Sequence, residues 1–377
     1  MRPTRAEIHT ERFLSNLRFV RQQIGERARI MPIVKANAYG HGLEIIARAA
    51  IKSEEIDAFG VATEEEGARL RRLTTLPILV LTGVAPDEID AFLEHQLDFT
   101  LSDPESLRAI AARASALGIR ARVHLKVDTG MRRMGVEPEE TLPFLREIER
   151  HSAHVELAGL STHFATSDEV DDRPSIHQTF FRKQLATFGS VVREVRDAGI
   201  RIPFVHAANS GAILQAPKES AFDLVRPGIM LYGYAPSAEL QEKCGESLKP
   251  CLALVSAVVL VKNIKEGEGV SYNLRWHAER DTRIATVPIG YGDGYPRLLT
   301  NRAKAMIQGK LYPVVGAICM DQVMLDVGDD NIAIGDRVEF ISVTNPELNA
   351  WSLAETIGTI PYEILTGIAD RVPRVPL

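Results

Sequence analysis

The sequence predicts an α/β protein: an N-terminal (β/α)8 barrel of the TIM type followed by a mainly β C-terminal domain. Three observations predict it. From Ile30 to about Pro227, short apolar β-branched runs alternate with amphipathic stretches. Eight such runs occur over roughly 230 residues, the count and length of a barrel. After about Tyr234 the helical period fades, and strand-like runs separated by glycine and proline take over.

Taken in order, the expected barrel strands are Met31–Val34, Ala58–Val61, Ile78–Leu81, Leu97–Leu101, Ala121–Val127, Leu157–Thr162, Phe204–Ala207 and Asp223–Val225. Helices are expected between them at Leu43–Ile51, Glu64–Leu73, Pro104–Leu117 and Pro174–Ala198. In the last, Pro174 occupies a first helical position and Gly199 follows the end. A doubly wound open sheet is the alternative architecture; the polar residues at the strand ends favour the barrel. The later strands are expected at Leu252–Val261, Ile284–Pro288, Ala305–Ile307, Pro313–Val315, Val323–Val327 and Arg337–Ile341. The expected domains are 1–240 and 241–377, with Pro236 to Pro250 as linker and the extreme N-terminus pairing with the C-terminal domain.

The chain has 377 residues, 45% hydrophobic and 25% charged, enough for a large core. A net charge of −6 without a long basic run argues against nucleic acid as partner. Cys244, Cys251 and Cys319 cannot form a disulfide framework and contain no C-x-x-C pair, which suits a reducing compartment. The N-terminus runs into charged residues rather than an apolar signal region, and the longest apolar run, Cys251 to Val261, is too short for a membrane span. A cytoplasmic protein without a membrane partner is the expectation.

A barrel's active site lies at the C-terminal ends of its strands. Lys35 ends the first strand, Lys126 and Arg133 lie in and after the fifth, His163 ends the sixth, Asn209 and Ser210 follow the seventh, and Arg226 ends the eighth. Ordinary strand ends carry Asp, Asn or Gly as caps and turns. Converging cations instead suit an anionic ligand. Lys35 follows an apolar strand, so desolvation lowers its pKa and favours a neutral amine that attacks carbonyls. A solvated lysine at a strand end is the ordinary alternative. Asn37, Gly40 and Gly42 make the neighbouring turn tight and open, which leaves room for a ligand.

Val34-Lys35-Ala36-Asn37-Ala38-Tyr39-Gly40-His41-Gly42 resembles the cofactor-attachment segment of alanine racemases, fold-type III pyridoxal-phosphate enzymes, and the likeness runs over nearly the whole chain. It implies that Lys35 holds pyridoxal 5'-phosphate through a Schiff base. Leu125-Lys126-Val127-Asp128-Thr129-Gly130-Met131, followed by Arg133, is similar to the family segment whose arginine contacts the phenolic oxygen. Arg133 takes that role, in binding substrate as well as cofactor, and Lys126 matches a lysine that some members carbamylate. Leu224-Val225-Arg226-Pro227-Gly228-Ile229 resembles the segment beside the pyridine nitrogen. A guanidinium there donates a hydrogen bond without giving up its proton. That weakens the electron sink and favours racemisation over transamination. The resemblance assigns phosphate contacts to Ser210, the backbone of Gly228 and Ile229, Tyr39 and Tyr362. Asn209 belongs to the same cofactor-binding set. It also places His163 near the ring, linked to Arg226; on the residues alone, a histidine in an apolar strand reads as core.

Racemisation requires a proton to leave one face and return to the other, which two opposed bases do directly. Gly269-Val270-Ser271-Tyr272 resembles the segment that holds the catalytic tyrosine, with Asn273 where glycine is usual. Tyr272 would act on the L side and Lys35 on the D side. A tyrosine near pKa 10 must be acidified by neighbouring cations to serve. Ala317-Ile318-Cys319-Met320-Asp321 resembles the segment that holds the substrate carboxylate, with the Met320 backbone as donor. Tyr291 matches a tyrosine on the substrate's way in and, with Tyr362, narrows the site toward alanine. In the family, Tyr272 and Met320 come from the partner subunit, which implies a homodimer with shared active sites.

Two other patterns carry less. The glycines of Pro288 to Tyr295 do not follow G-x-G-x-x-G, and Pro296 ends the segment, so no nucleotide loop is read there. His151 and His154 have no third ligand at suitable spacing, so no metal is expected. The expected activity is interconversion of L- and D-alanine, supplying D-alanine for peptidoglycan or serving alanine catabolism. A broad-spectrum amino-acid racemase would share every residue named. A fold-type III decarboxylase would carry a carboxylate where Arg226 stands, and a non-catalytic pyridoxal-phosphate carrier would lack the C-terminal domain.

Overall fold

The computed structural model describes residues 2–169 and 176–377. The chain divides into two units. One comprises Leu14–Ala38 and Ile46–Leu248; the other comprises the chain up to Phe13, Tyr39–Ile45 and Lys249–Leu377.

The first unit alternates strand and helix. Numbering β1 as Arg5–Ile8, its strands are β2 (Arg29–Ile30), β3 (Phe59–Val61), β4 (Ile78–Val80), β5 (Phe99–Leu101), β6 (Ala121–Lys126), β7 (Val155–Ser161), β8 (Phe204–His206) and β9 (Leu224–Val225). All pair in parallel. Six form one sheet in the order β2-β9-β8-β7-β6-β5, and β3 pairs with β4. Isolated parallel bridges, Ile33 to Gly60 and Leu79 to Asp98, connect that pair to the six-stranded sheet. Seven of the eight expected strands overlap an observed one, and the ladder is not one continuous sheet. The first, expected at Met31–Val34, lies earlier: regular pairing covers Arg29–Ile30, and 31–34 is held by single contacts such as Val34 N–H to Gly60 O.

Helix ends follow the local chemistry. The helix Pro104–Leu117 starts where the Asp103 carboxylate accepts from the Ser106 amide at 2.7 Å, with Pro104 at its first position. It buries Leu107, Ile110, Ala111 and Ala114, one stripe at helical spacing, and ends at Gly118 with φ of 66°. The helix expected over Pro174–Ala198 spans Ile176–Asp197, and Pro174 lies outside the described residues. The linker expected at Pro236 to Pro250 contains a helix, Ala238–Cys244, and a 3-10 turn, Gly245–Ser247. Buried Leu240 and Leu248 anchor that stretch, so it is packed rather than free.

The second unit is mainly β. Strands β10 (Leu252–Ala257), β15 (Lys304–Ile307), β16 (Lys310–Pro313), β18 (Arg337–Ile341) and β19 (Arg374–Pro376) join β1 in the order β16-β15-β18-β10-β1-β19. The N-terminal β1 lies antiparallel to β10 and parallel to β19. A three-stranded sheet runs β11 (Leu260–Ile264), β14 (Thr282–Val287) and β17 (Val323–Asp326), and β12 (Gly269–Val270) pairs with β13 (Trp276–His277). The single strand expected at Leu252–Val261 is two strands in different sheets. At the break, Val258 N–H donates to Asp336 O and Val259 N–H to Thr286 O, so the chain changes partners within two residues. The strand expected at Pro313–Val315 lies earlier, at Lys310–Pro313. Among the described residues no helix is long and apolar enough to cross a membrane.

Candidate active site

Lys35 sits on an unusual turn. Ala36, Asn37, Ala38 and Tyr39 all have φ between 50° and 54°, a short left-handed run. Such a conformation costs about 1–2 kcal/mol per non-glycine residue and needs compensation. Glu66 supplies it. Its Oε1 accepts from the Ala36 amide at 2.5 Å and the Asn37 amide at 3.4 Å, while its Oε2 accepts from Ala62 at 2.9 Å. Ala38 N–H also reaches Val34 O at 2.8 Å. Desolvation and the nearby Arg133 hold the half-buried Lys35 amine below the usual lysine range, against a smaller opposing pull from Glu66. The open turn expected here is therefore a braced left-handed one.

The other cations arrive from neighbouring strand ends. Lys126 closes β6 and is half-buried. Burial, then Arg226 and Arg133, push its amine well below the lysine range, with Asp128 opposing. Arg133, exposed, stands on a loop whose ends are tied by Val136 N–H to Lys126 O and Asp128 N–H to Val136 O. The Asp128 carboxylate accepts from the Gly130 amide at 2.8 Å and the Arg132 amide at 3.1 Å, which shapes the turn.

Arg226, directly after β9, is buried. Its Nη1 donates to His206 Nδ1 at 2.8 Å; its Nη2 donates to Thr162 O at 2.7 Å, Ala207 O at 3.0 Å and His163 Nδ1 at 3.2 Å. Burial lowers its pKa to about 10, so it stays a guanidinium at neutral pH. Burial, Lys126, Arg226, Arg133 and Lys35 together keep His163 neutral, well below the usual imidazole range. His163 lies two residues beyond β7 rather than at its last position.

Asn209 and Ser210 follow β8 at a short helix, Ser210–Gln215. Asn209 Oδ1 caps it, accepting from the Ala212 amide at 3.1 Å and from Ser167 Oγ at 2.7 Å. Ser210 Oγ accepts from the amides of Gly228 at 3.0 Å and Met230 at 3.4 Å, which leaves its own proton to donate. These contacts tie Ser210 to the segment containing Gly228 and Ile229.

The remaining candidates belong to the second unit. Tyr39 and Tyr362 have ring centroids 5.9 Å apart. Tyr272 stands in a tight turn with positive φ at Ser271, Asn273 and Leu274, a conformation asparagine tolerates. Its side chain is 69% exposed, Met320 is 53% exposed and Tyr291 is 41% exposed. One segment joins their loops. Ser271 Oγ donates to Ala317 O at 2.6 Å, and the Tyr291 and Gly292 amides donate to Cys319 O and Met320 O. Gly290 permits this approach, since a Cβ there would sit 2.2 Å from Cys319 O. Arg371 Nη2 fixes Asp321 at 2.8 Å, and its Nε reaches Asp293 at 2.8 Å.

Glu66 and His206 are additions to the sequence reading. The Glu64 to Glu66 run reads as an acidic first helical turn, and His206 reads as core. Only the fold brings them to Lys35's turn and to Arg226.

The family described as alanine racemase, N-terminal domain, matches residues 8–236, and the alanine racemase C-terminal domain matches residues 251–376. The chain is 40% identical to an alanine racemase of Treponema denticola, over 100% of this chain and 98% of that protein. It is 41% identical to one of Symbiobacterium thermophilum, over 99% and 97%. Among solved structures, an alanine racemase of Clostridium difficile superposes with a TM-score of 0.91 at 34% identity, covering 100% of this chain and 96% of that one. One of Bacillus anthracis with bound L-Ala-P gives a TM-score of 0.91 at 33% identity, covering 100% and 95%.

Proposed function

The chain belongs to the alanine racemase family and is an isomerase, and from that premise we propose that it interconverts L- and D-alanine by a two-base mechanism, with pyridoxal phosphate held at Lys35. The observation that carries this is the convergence of Lys35, Lys126, Arg133 and Arg226 on His163, all four disfavouring its charge, with Arg226 bonded to it at 3.2 Å. The donor set fits the cofactor: an aldehyde needs a neutral amine, and phosphate and phenolate oxygens need cations and N–H or O–H donors.

When bound, the cofactor supplies an electron sink that acidifies the substrate Cα–H. Lys35 Nζ holds or returns the proton on the D side, and Tyr272 Oη does so on the L side. Arg226 would donate to the cofactor's ring nitrogen and keep its own proton. Arg133 would bind the phenolic oxygen and the substrate, His163 backs Arg226, and Ser210, Gly228, Ile229, Tyr39 and Tyr362 would hold the phosphate, with Asn209 fixing Ser210's helix. The Met320 backbone amide donates to the substrate carboxylate, Asp321 fixes that loop through Arg371, and Tyr291 with Tyr362 restricts the side chain to a methyl group. The working division is 1–240 for the cofactor and 241–377 for Tyr272 and Met320. Exposed Tyr272 and Met320 support a homodimer in which each copy completes its partner's site.

The direct test is reconstitution with pyridoxal phosphate, borohydride reduction and peptide mapping by mass. The expected product carries the reduced cofactor on Lys35. Modification only at Lys126, or none, would contradict the assignment.

A further inference from the structure

Behind Arg226 lies a buried polar chain that the racemisation chemistry does not require. His206 Nε2 lies 2.9 Å from His124 Nδ1, and His124 Nε2 lies 3.3 Å from Asp98 Oδ2. Asp98 Oδ1 in turn accepts from Arg122 Nε at 2.9 Å. Asp98, His124, His206 and Arg226 are all buried.

Counting protons leaves one arrangement. A guanidinium only donates, so His206 Nδ1 must accept from Arg226 and carry no proton. A neutral His206 then has its proton on Nε2 and donates to His124 Nδ1. His124 must in turn carry its proton on Nε2, which points at a carboxylate that only accepts. Protonating either ring would set two donors against each other at one of these contacts. Burial and Arg226 also hold His206 well below the usual imidazole range.

The chain crosses a strand to do this. His124 is on β6 and His206 on β8, with β7 between them. Gly159 of β7 pairs in register with His124, and a Cβ at Gly159 would sit 2.2 Å from His124 Nδ1. Its φ is not in the left-handed region, so the glycine serves space rather than backbone conformation. We propose that Asp98, His124 and His206 form a one-way hydrogen-bonded chain that orients Arg226, and that the missing side chain at Gly159 lets it pass over β7. Asp98, His124 and Gly159 are positioning residues that act through His206. Reversing the His206 tautomer would turn an N–H toward Arg226 Nη1 and swing the guanidinium off its acceptors. That Arg226 serves the reaction rests on the function proposed above; the direction of the chain does not.

The experiment is ring-nitrogen NMR of the full-length protein labelled with 15N-histidine, with and without pyridoxal phosphate, alongside alanine racemisation kinetics. Wild type should show neutral Nε2–H tautomers at His124 and His206 near neutral pH. Gly159→Ala should scramble the His206 tautomer and lower kcat roughly ten-fold, the scale of losing an outer orienting partner, with KM little changed. Asp98→Ala removes the acceptor that His124 Nε2–H faces and should scramble the tautomers and lower kcat in the same direction as Gly159→Ala. An Nδ1–H or cationic His206 in wild type would overturn the chain, a reading that survives even if Gly159→Ala does not fold. A scrambled tautomer with wild-type kcat would overturn the positioning role. Assigned tautomers in an enzyme that racemises nothing would support the chain and overturn the function.

Discussion

Lys126 poses the sharpest electrostatic problem among the single residues, because Arg226 and Arg133 both disfavour its charge. Burial and the two guanidinium groups favour the neutral form of this amine, and a neutral amine can combine with carbon dioxide, releasing a proton. The carbamate so formed is an anion among guanidinium groups, which replaces repulsion with attraction. We therefore expect 13C-bicarbonate to give a carbamate resonance that Lys126→Ala abolishes, and stripping carbon dioxide to lower activity. The sign with pH follows: acidification protonates the amine and releases the carbamate, so the resonance should fade as pH drops. An identical spectrum with and without Lys126 would contradict this. At this scale the sequence was informative where chemistry is local. The segments around Lys35, Arg226 and Tyr272 could be read directly, since each lies within a few residues of its own motif. His124, Asp98 and Glu66 could not, because each acquires its role from a partner more than 25 residues away.

Among elements, the left-handed turn at Lys35 is held from outside itself. Glu66 bridges it to Ala62, just after β3, so the carboxylate couples the lysine's position to that strand. Replacing Glu66 with Ala hands the exposed Ala36 amide to water and leaves the half-buried Ala62 amide without that acceptor, a loss of about 1 kcal/mol. Glu66→Ala should therefore weaken cofactor retention and lower the melting temperature, while Glu66→Gln keeps one acceptor oxygen and loses less. Removing the carboxylate should also lower the Lys35 pKa further, because Glu66 is the influence that raises it. Wild-type cofactor affinity in Glu66→Ala would refute the brace. Elements whose ends are set locally were legible, as at Pro104–Leu117 with its cap, proline and terminal glycine. The helix Thr10–Ile24 also carries Phe13, Leu17 and Val20 at helical spacing, although the sequence reading begins its alternation at Ile30. The two-residue strands β12 and β13 exist only through their pairing, and no period can show in so short a run.

For the whole molecule, β1 sits between β10 and β19 of the mainly β unit. Pairing of the extreme N-terminus with the C-terminal domain is expected from the sequence, but four residues carry too little pattern to give its neighbours or register. A homodimer with shared sites makes a quantitative prediction at this scale. Lys35→Ala and Tyr272→Phe homodimers should each be nearly inactive. Unfolding and refolding them together should restore about a quarter of wild-type activity, because half the dimers are mixed and each mixed dimer holds one intact site. No recovery would place Lys35 and Tyr272 in the same subunit's site. The central claim, two opposed bases acting on alanine, is tested most directly by incubating pure L-alanine, and separately D-alanine, with the reconstituted enzyme in deuterated water. Optical rotation and the α-proton signal are followed together. Both enantiomers should decay to a racemate as the α-proton is lost. Loss of the α-proton with chirality retained would show that only one base works and would contradict it.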